Sequence, residues 1–156
     1  MSLKDKQEGD FQFYKNDLPG AEEKYLSSIE IDKENEYALA NMGVVHLKRL
    51  EYPECIEYSS RALNQIENFY NDTKNFLTNN ILEVKILMRR AKSYEMTGDF
   101  ENAKADLDKC LILEPKNGEA NNLLKNIERS LNAMMFKRYK DEADGFLRNK
   151  KFVEAL

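Results

Sequence analysis

The sequence predicts an all-α solenoid of three helix pairs closed by a long capping helix, and three observations predict it. Only six glycines and three prolines interrupt the 156 residues. Apolar residues recur at spacings of three and four, the period of one helix face, and strand-like alternation is absent. A pattern of small residues also returns at a fixed interval, which is how stacked helical repeats read in sequence.

The elements follow in order. In GDFQFYKNDLPGAEEKYLSSIEID (9–32), Gly9, Ala21 and Ser28 hold the small positions. In GVVHLKRLEYPECIEYSSRALNQI (43–66), Gly43, Cys55 and Ala62 take the same places 34 residues later. In AKSYEMTGDFENAKADLDKCLILEPKN (91–117), Ala91, Ala103 and Cys110 follow 48 residues after the second copy, one period plus an insertion of 14. Pro19, Pro53 and Pro115 sit where helices start or stop. Antiparallel helices approach closely only where side chains are small, so these positions mark helix crossings. Leu39, Met42, Tyr52, Leu87, Tyr94, Phe100 and Leu107 fill the space between them. The insertion IENFYNDTKNFLTNNILE (66–83) is rich in asparagine. Its start extends the second helix of copy two, its end extends the first helix of copy three, and about 70–79 reads as a solvent loop.

Beyond the third copy, EANNLLKNIERSL (119–131) gathers Leu123, Leu124, Ile127 and Leu131 on one face and reads as the capping helix. No glycine or proline falls between Glu119 and Asp144, so the helix can run on. KDEADGFLRNKKFVEAL (140–156) places Ala143 at the glycine position and Ala155 at the position of Ala21. This predicts a fourth copy that stops before its second helix, so the natural protein is expected to continue. Phe146, Leu147 and Phe152 then lack a covering helix, and self-association through this end is an expectation. The predicted division is a domain over 1–131, with repeats at about 2–35, 36–66 and 84–117 and the insertion at 67–83, followed by the start of a truncated repeat at 132–156.

Composition narrows the function. One-third of the residues are charged and the net charge is −4, which argues against nucleic-acid binding, because phosphate needs a cationic surface. No apolar run reaches the roughly 18 residues of a membrane span. The start MSLKDKQEG lacks a secretory hydrophobic region, and the two cysteines fall at small packing positions, so a reducing, cytoplasmic setting with free thiols is expected. The single histidine, His46, falls at an aromatic-type packing position of the repeat. No metal cluster, cofactor loop or catalytic constellation is present, so no enzyme, metal or cofactor is predicted.

The repeat pattern resembles the tetratricopeptide repeat, a 34-residue helix–turn–helix unit, over about residues 1–117. The resemblance implies a right-handed superhelix whose first helices line a concave groove. It further implies kinship with the co-chaperones that hold the acidic C-terminal tail of Hsp90 or Hsp70, ending Glu-Glu-Val-Asp, in a carboxylate clamp. That family uses Lys and Asn four apart in copy one, Asn in copy two, and Lys and Arg four apart in copy three. Here Lys6, Asn41, Lys85 and Arg89 match, and Asp10 stands where the family has Asn. LMRRAKSYE is also similar to the third repeat of axonemal-dynein assembly co-chaperones and of sperm-associated antigen 1.

Lys85 and Arg89 lie at i and i+4 and so share a helix face, which Lys92 continues, while Arg90 falls off the stripe as an inter-helix ion-pair candidate. A carboxylate accepts hydrogen bonds but donates none. Asp10 facing a ligand carboxylate at 4 Å costs about 1 kcal/mol in water and about 4 kcal/mol at intermediate dielectric. The expectation is therefore weakened or retuned binding, with Lys6 an alternative partner for Asp10. By repeat phase, Phe13, Tyr37, Val44, Leu47 and Met88 are groove positions for apolar ligand residues, and Lys48 and Lys92 are groove positions for its glutamates. The function this implies is non-catalytic adaptor binding of an Hsp90 or Hsp70 tail. The alternatives are a structural scaffold, for example in ciliary or complex assembly, that binds other proteins without a clamp, or a targeting module of a larger enzyme.

Overall fold

The computed structural model describes residues 3–73 and 80–154, and the side chains at 3–4, 6, 69–73 and 151–154 lie outside that description. Among the described residues there are seven helices and no strand: α1 (Leu3–Tyr14), α2 (Leu18–Ile31), α3 (Glu36–Lys48), α4 (Tyr52–Thr73), α5 (Asn80–Thr97), α6 (Phe100–Leu113) and α7 (Gly118–Glu154). Each helix packs on the next in the chain, and α3 also touches α5. The fold is an all-α helical-repeat solenoid. The loop expected at about 70–79 is overturned at its start, where 70–73 continue α4 as helix, and its remainder at 74–79 lies outside the described residues.

The repeat shows in the backbone as well as in the sequence. The turns inside the three helix pairs each contain one left-handed residue: Asn16 (φ 61°), Leu50 (φ 62°) and Gly98 (φ 79°). These three residues keep the 34- and 48-residue offsets. Asn and Gly adopt that region readily, whereas Leu does so at a steric cost. Caps then start the following helices. Asp17 accepts from the Gly20 amide, Asp99 from Asn102, Asn35 from Ala38 and Asn117 from Ala120, each occupying an amide that the first helical turn leaves unbonded.

The small positions are buried throughout: Ala21, Ser28, Cys55, Ala62, Ala91, Ala103 and Cys110 are all at or near zero exposure, and Gly9 and Gly43 are buried with them. Gly9 shows why size matters. A Cβ there would lie 2.6 Å from the Tyr25 ring, so α1 and α2 can approach this closely only over glycine. Leu39, Met42, Leu87 and Leu107 fill the core, with Tyr94 and Phe100 partly buried against it.

The capping helix contributes Ala120 and Ile127 at zero exposure, with Leu123, Leu124 and Leu131 packed beside them. α7 then continues without a break, and every described side chain from 132 to 150 is exposed. The sequence-based division at 131–132 thus falls inside one helix about 55 Å long at 1.5 Å per residue. Phe146 and Leu147 are exposed on it, while the Phe152 side chain and Ala155 lie outside the described residues.

Arg90 fastens the solenoid from its packing side. Its guanidinium forms a two-pronged ion pair with Asp106 of α6 at 2.8 and 2.7 Å and donates to Ser60 of α4 at 2.8 Å, tying three helices together. His46 is 7% exposed, stacks on Tyr58 at 5.2 Å and meets Glu51 through Nδ1 at 2.7 Å. Its surroundings are those of a packing residue.

Candidate functional site

α1, α3 and α5 bring their polar residues together along one groove made of two adjoining cavities, of about 520 and 400 Å³. Clefts of about 300–1,000 Å³ are ligand-sized. The larger cavity carries Asp10 and Phe13 from α1, Asn41 and Val44 from α3, and Tyr25 from α2. The smaller carries Leu47 of α3, Met88 and Lys92 of α5, and Glu114, Asn117 and Glu119 from the turn into α7. Lys85 and Arg89 border both. The backbone at Lys6 lies one helical turn before Asp10 on α1, and its side chain is outside the described residues.

Arg89 is the electrostatic centre of the groove. One guanidinium nitrogen donates to the Ala40 carbonyl at 2.6 Å, reaching from α5 to α3. Burial pushes its pKa below the usual arginine value, because a charged guanidinium is held where water is scarce. Among the described residues no carboxylate pairs with Arg89, and neither an ion pair nor a hydrogen bond engages the Lys85 side chain. A buried cation without its own anion is costly, and a ligand carboxylate removes that cost.

Asp10 occupies the same cavity under different control. Its Oδ1 accepts from the Tyr25 hydroxyl at 2.8 Å and from the Asn41 amide nitrogen at 3.0 Å. Burial first, and the Asp10 carboxylate second, raise the Tyr25 pKa well above its ordinary value, so the phenol stays protonated and remains a donor. Asn41 is thereby oriented by a protein carboxylate.

Phe13 and Val44 line the larger cavity, and Leu47 and Met88 the smaller. Lys92 also lines the smaller, with its ammonium in an ion pair with Glu119. Lys48 is exposed, and its ammonium sits 4.8 Å above the Phe13 ring, outside both cavities. Tyr37, at the start of α3, is 39% exposed and lines neither. Tyr25, Leu82, Glu114 and Glu119 belong to the groove although repeat phase did not single them out. For Tyr25 the available signal was Gly9, since a vacancy on one helix implies a large side chain on its neighbour.

The class defined here is a helical-repeat solenoid with a polar groove along its first helices. Comparison with known proteins finds the same fold in solved tetratricopeptide-repeat domains. No protein-family profile matches the chain. Hsp70-Hsp90 organizing protein 3 of Arabidopsis thaliana is 26% identical over 164 residues, covering 99% of this chain and 29% of that relative. Protein unc-45 homolog B of Xenopus laevis is 28% identical over 115 residues, covering 72% of this chain and 11% of the relative. The chain thus spans under a third of the length of these relatives. Among solved structures, the first tetratricopeptide-repeat domain of Spaghetti (RPAP3), bound to the HSP90 peptide SRMEEVD, superposes with a TM-score of 0.69 at 22% identity, covering 83% of this chain and 91% of that one. The second such domain of human RPAP3, in complex with the HSP70 peptide SGPTIEEVD, gives 0.66 at 24% identity, covering 81% and 94%. The Arabidopsis OM64 domain gives 0.66 at 22% identity, covering 80% and 92%. At these identities the likeness establishes the fold.

Proposed function

We propose that the chain is a non-catalytic co-chaperone-type adaptor whose groove binds the free, acidic C-terminal tail of Hsp90 or Hsp70. One observation carries this reading: Lys85 and Arg89 border both cavities with no carboxylate of their own among the described residues. A terminal carboxylate supplies the missing anion, and the guanidinium fork can grip it through two parallel bonds. Asn41 adds an amide, and Lys6 is placed by its helix register to join them from α1. Phe13, Val44, Leu47 and Met88 provide apolar contact for upstream residues. The solved relatives with bound chaperone peptides support the reading by likeness of fold. A cytoplasmic setting suits such partners. Among the described residues no helix is long and apolar enough to cross a membrane.

A second reading, a scaffold that binds a partner without a free C-terminus, is favoured by Asp10, an anion where a clamp needs a donor. Calorimetric titration with a Glu-Glu-Val-Asp peptide and with its C-terminally amidated form separates the two. The adaptor reading expects the free acid to bind about tenfold more tightly or better. Equal affinities, or no binding of either at millimolar concentration, would leave the scaffold.

A further inference from the structure

The smaller cavity carries acids of its own. Glu114, Asn117 and Glu119 line it from the turn into α7, together with Met88, Arg89 and Lys92 of α5. Side-chain bonds hold that turn in shape. The Asn117 amide donates to the Glu114 carboxylate at 3.0 Å, and its oxygen accepts from the Ala120 backbone at 2.9 Å, where α7 begins. Glu119 lies in the first turn of α7, where the partial positive charge of a helix N-terminus favours an acid. From there its carboxylate pairs with the Lys92 ammonium. A glutamate of the chain itself thus sits on Lys92 before any ligand arrives.

We propose that Glu119 is a built-in competitor for the ligand's upstream acids, a specificity-determining residue that mutes the groove's preference for glutamate before the C-terminus. The proposal rests on the C-terminal-peptide reading above. Lys92 lies three residues past Arg89, about 4.5 Å farther along α5. An extended chain advances about 3.3–3.6 Å per residue. A tail that leaves its terminal carboxylate at Lys85 and Arg89 and runs toward α7 therefore brings the residues two and three places before its end within reach of Lys92. A glutamate there gains Lys92 only by displacing Glu119, so it exchanges one ion pair for another. The Lys92 and Glu119 side chains are 44% and 66% exposed, so the pair is weak enough to yield, and its effect on affinity is a few fold.

The test uses the full 156-residue chain at neutral pH with three peptides. Two are free acids ending Glu-Glu-Val-Asp and Gln-Gln-Val-Asp, and the third is the amidated form of the former. The quantity read by calorimetry is the affinity ratio of the glutamate acid to the glutamine acid. Glu119→Gln keeps the size of the side chain and frees Lys92, and is expected to raise that ratio about two- to fivefold over wild type. In a Lys92→Met background the same substitution is expected to leave the ratio unchanged, because the contested cation is gone. A rise of less than about twofold overturns the inference. So does a rise that persists without Lys92, since it would reflect only the loss of a negative charge from the groove. If the amidated peptide binds wild type as tightly as its acid, the C-terminal reading itself fails and the inference falls with it. If the free acid is required and the ratio does not move, only the inference falls.

Discussion

Arg89→Met separates what the groove does for binding from what it costs the fold. Methionine keeps the length and flexibility of the side chain while removing the charge. In the free protein Arg89 is a buried cation whose hydrogen-bond partner among the described residues is the Ala40 carbonyl, at 2.6 Å. That carbonyl lies inside α3, where a helical amide already serves it. Removing the guanidinium thus orphans nothing and relieves an uncompensated charge, so stability should hold or rise by about 1 kcal/mol. For a chain of this length that is a melting shift of about 2–4 °C. Binding should move the other way. Charge-assisted hydrogen bonds contribute about 1.5–3 kcal/mol each, and losing a two-pronged grip on a carboxylate should cost about 2–4 kcal/mol, roughly 30- to 1,000-fold in affinity. Thermal denaturation and calorimetry on the same preparation read both quantities. A variant that binds the acidic peptide within about twofold of wild type refutes the assigned role of Arg89. A variant that melts well below wild type refutes the argument that its charge is uncompensated.

Three further outcomes follow from the packing. Arg90→Ala leaves Asp106, whose side chain is 7% exposed, without its partner. It should destabilise the chain by about 3–5 kcal/mol in a denaturant titration, because a buried carboxylate is left unpaired. Gly9→Ala puts a methyl group 2.6 Å from the Tyr25 ring and should cost about 1–3 kcal/mol, with weaker peptide binding as α1 shifts. Leu50→Gly relieves a left-handed leucine that is 68% exposed, and should raise stability by about 1 kcal/mol in thermal denaturation.

The fold was legible because it depends on spacing. Gly9, Gly43 and Ala91 mark the three first helices, and the same offsets return in the left-handed residues Asn16, Leu50 and Gly98. Helix periodicity likewise separated Arg90 from the groove stripe, and Arg90 spans α4, α5 and α6. The groove was legible only in part. Repeat phase identifies which residues of α1, α3 and α5 share a side, but not what the second helices and the final turn bring to them. Tyr25 reaches Asp10 from α2, fifteen residues away in sequence. Glu119 reaches Lys92 across 27 residues, because the turn into α7 folds back beside α5. Both contacts arise from how the helix pairs stack, which no local pattern encodes. Leu50 was not predictable either, because nothing in its sequence neighbourhood favours a positive φ.

The central claim is that Arg89 holds the ligand's terminal carboxylate, and a thermodynamic cycle tests it most directly. Wild type and Arg89→Met are each titrated with an acidic C-terminal peptide and with its amidated form, giving four affinities and one coupling energy. A direct grip predicts that the two changes are strongly non-additive, with a coupling of about 1.5 kcal/mol or more. Strict additivity, with a coupling near zero, would contradict it, because Arg89 and the terminal carboxylate would then contribute to binding without meeting.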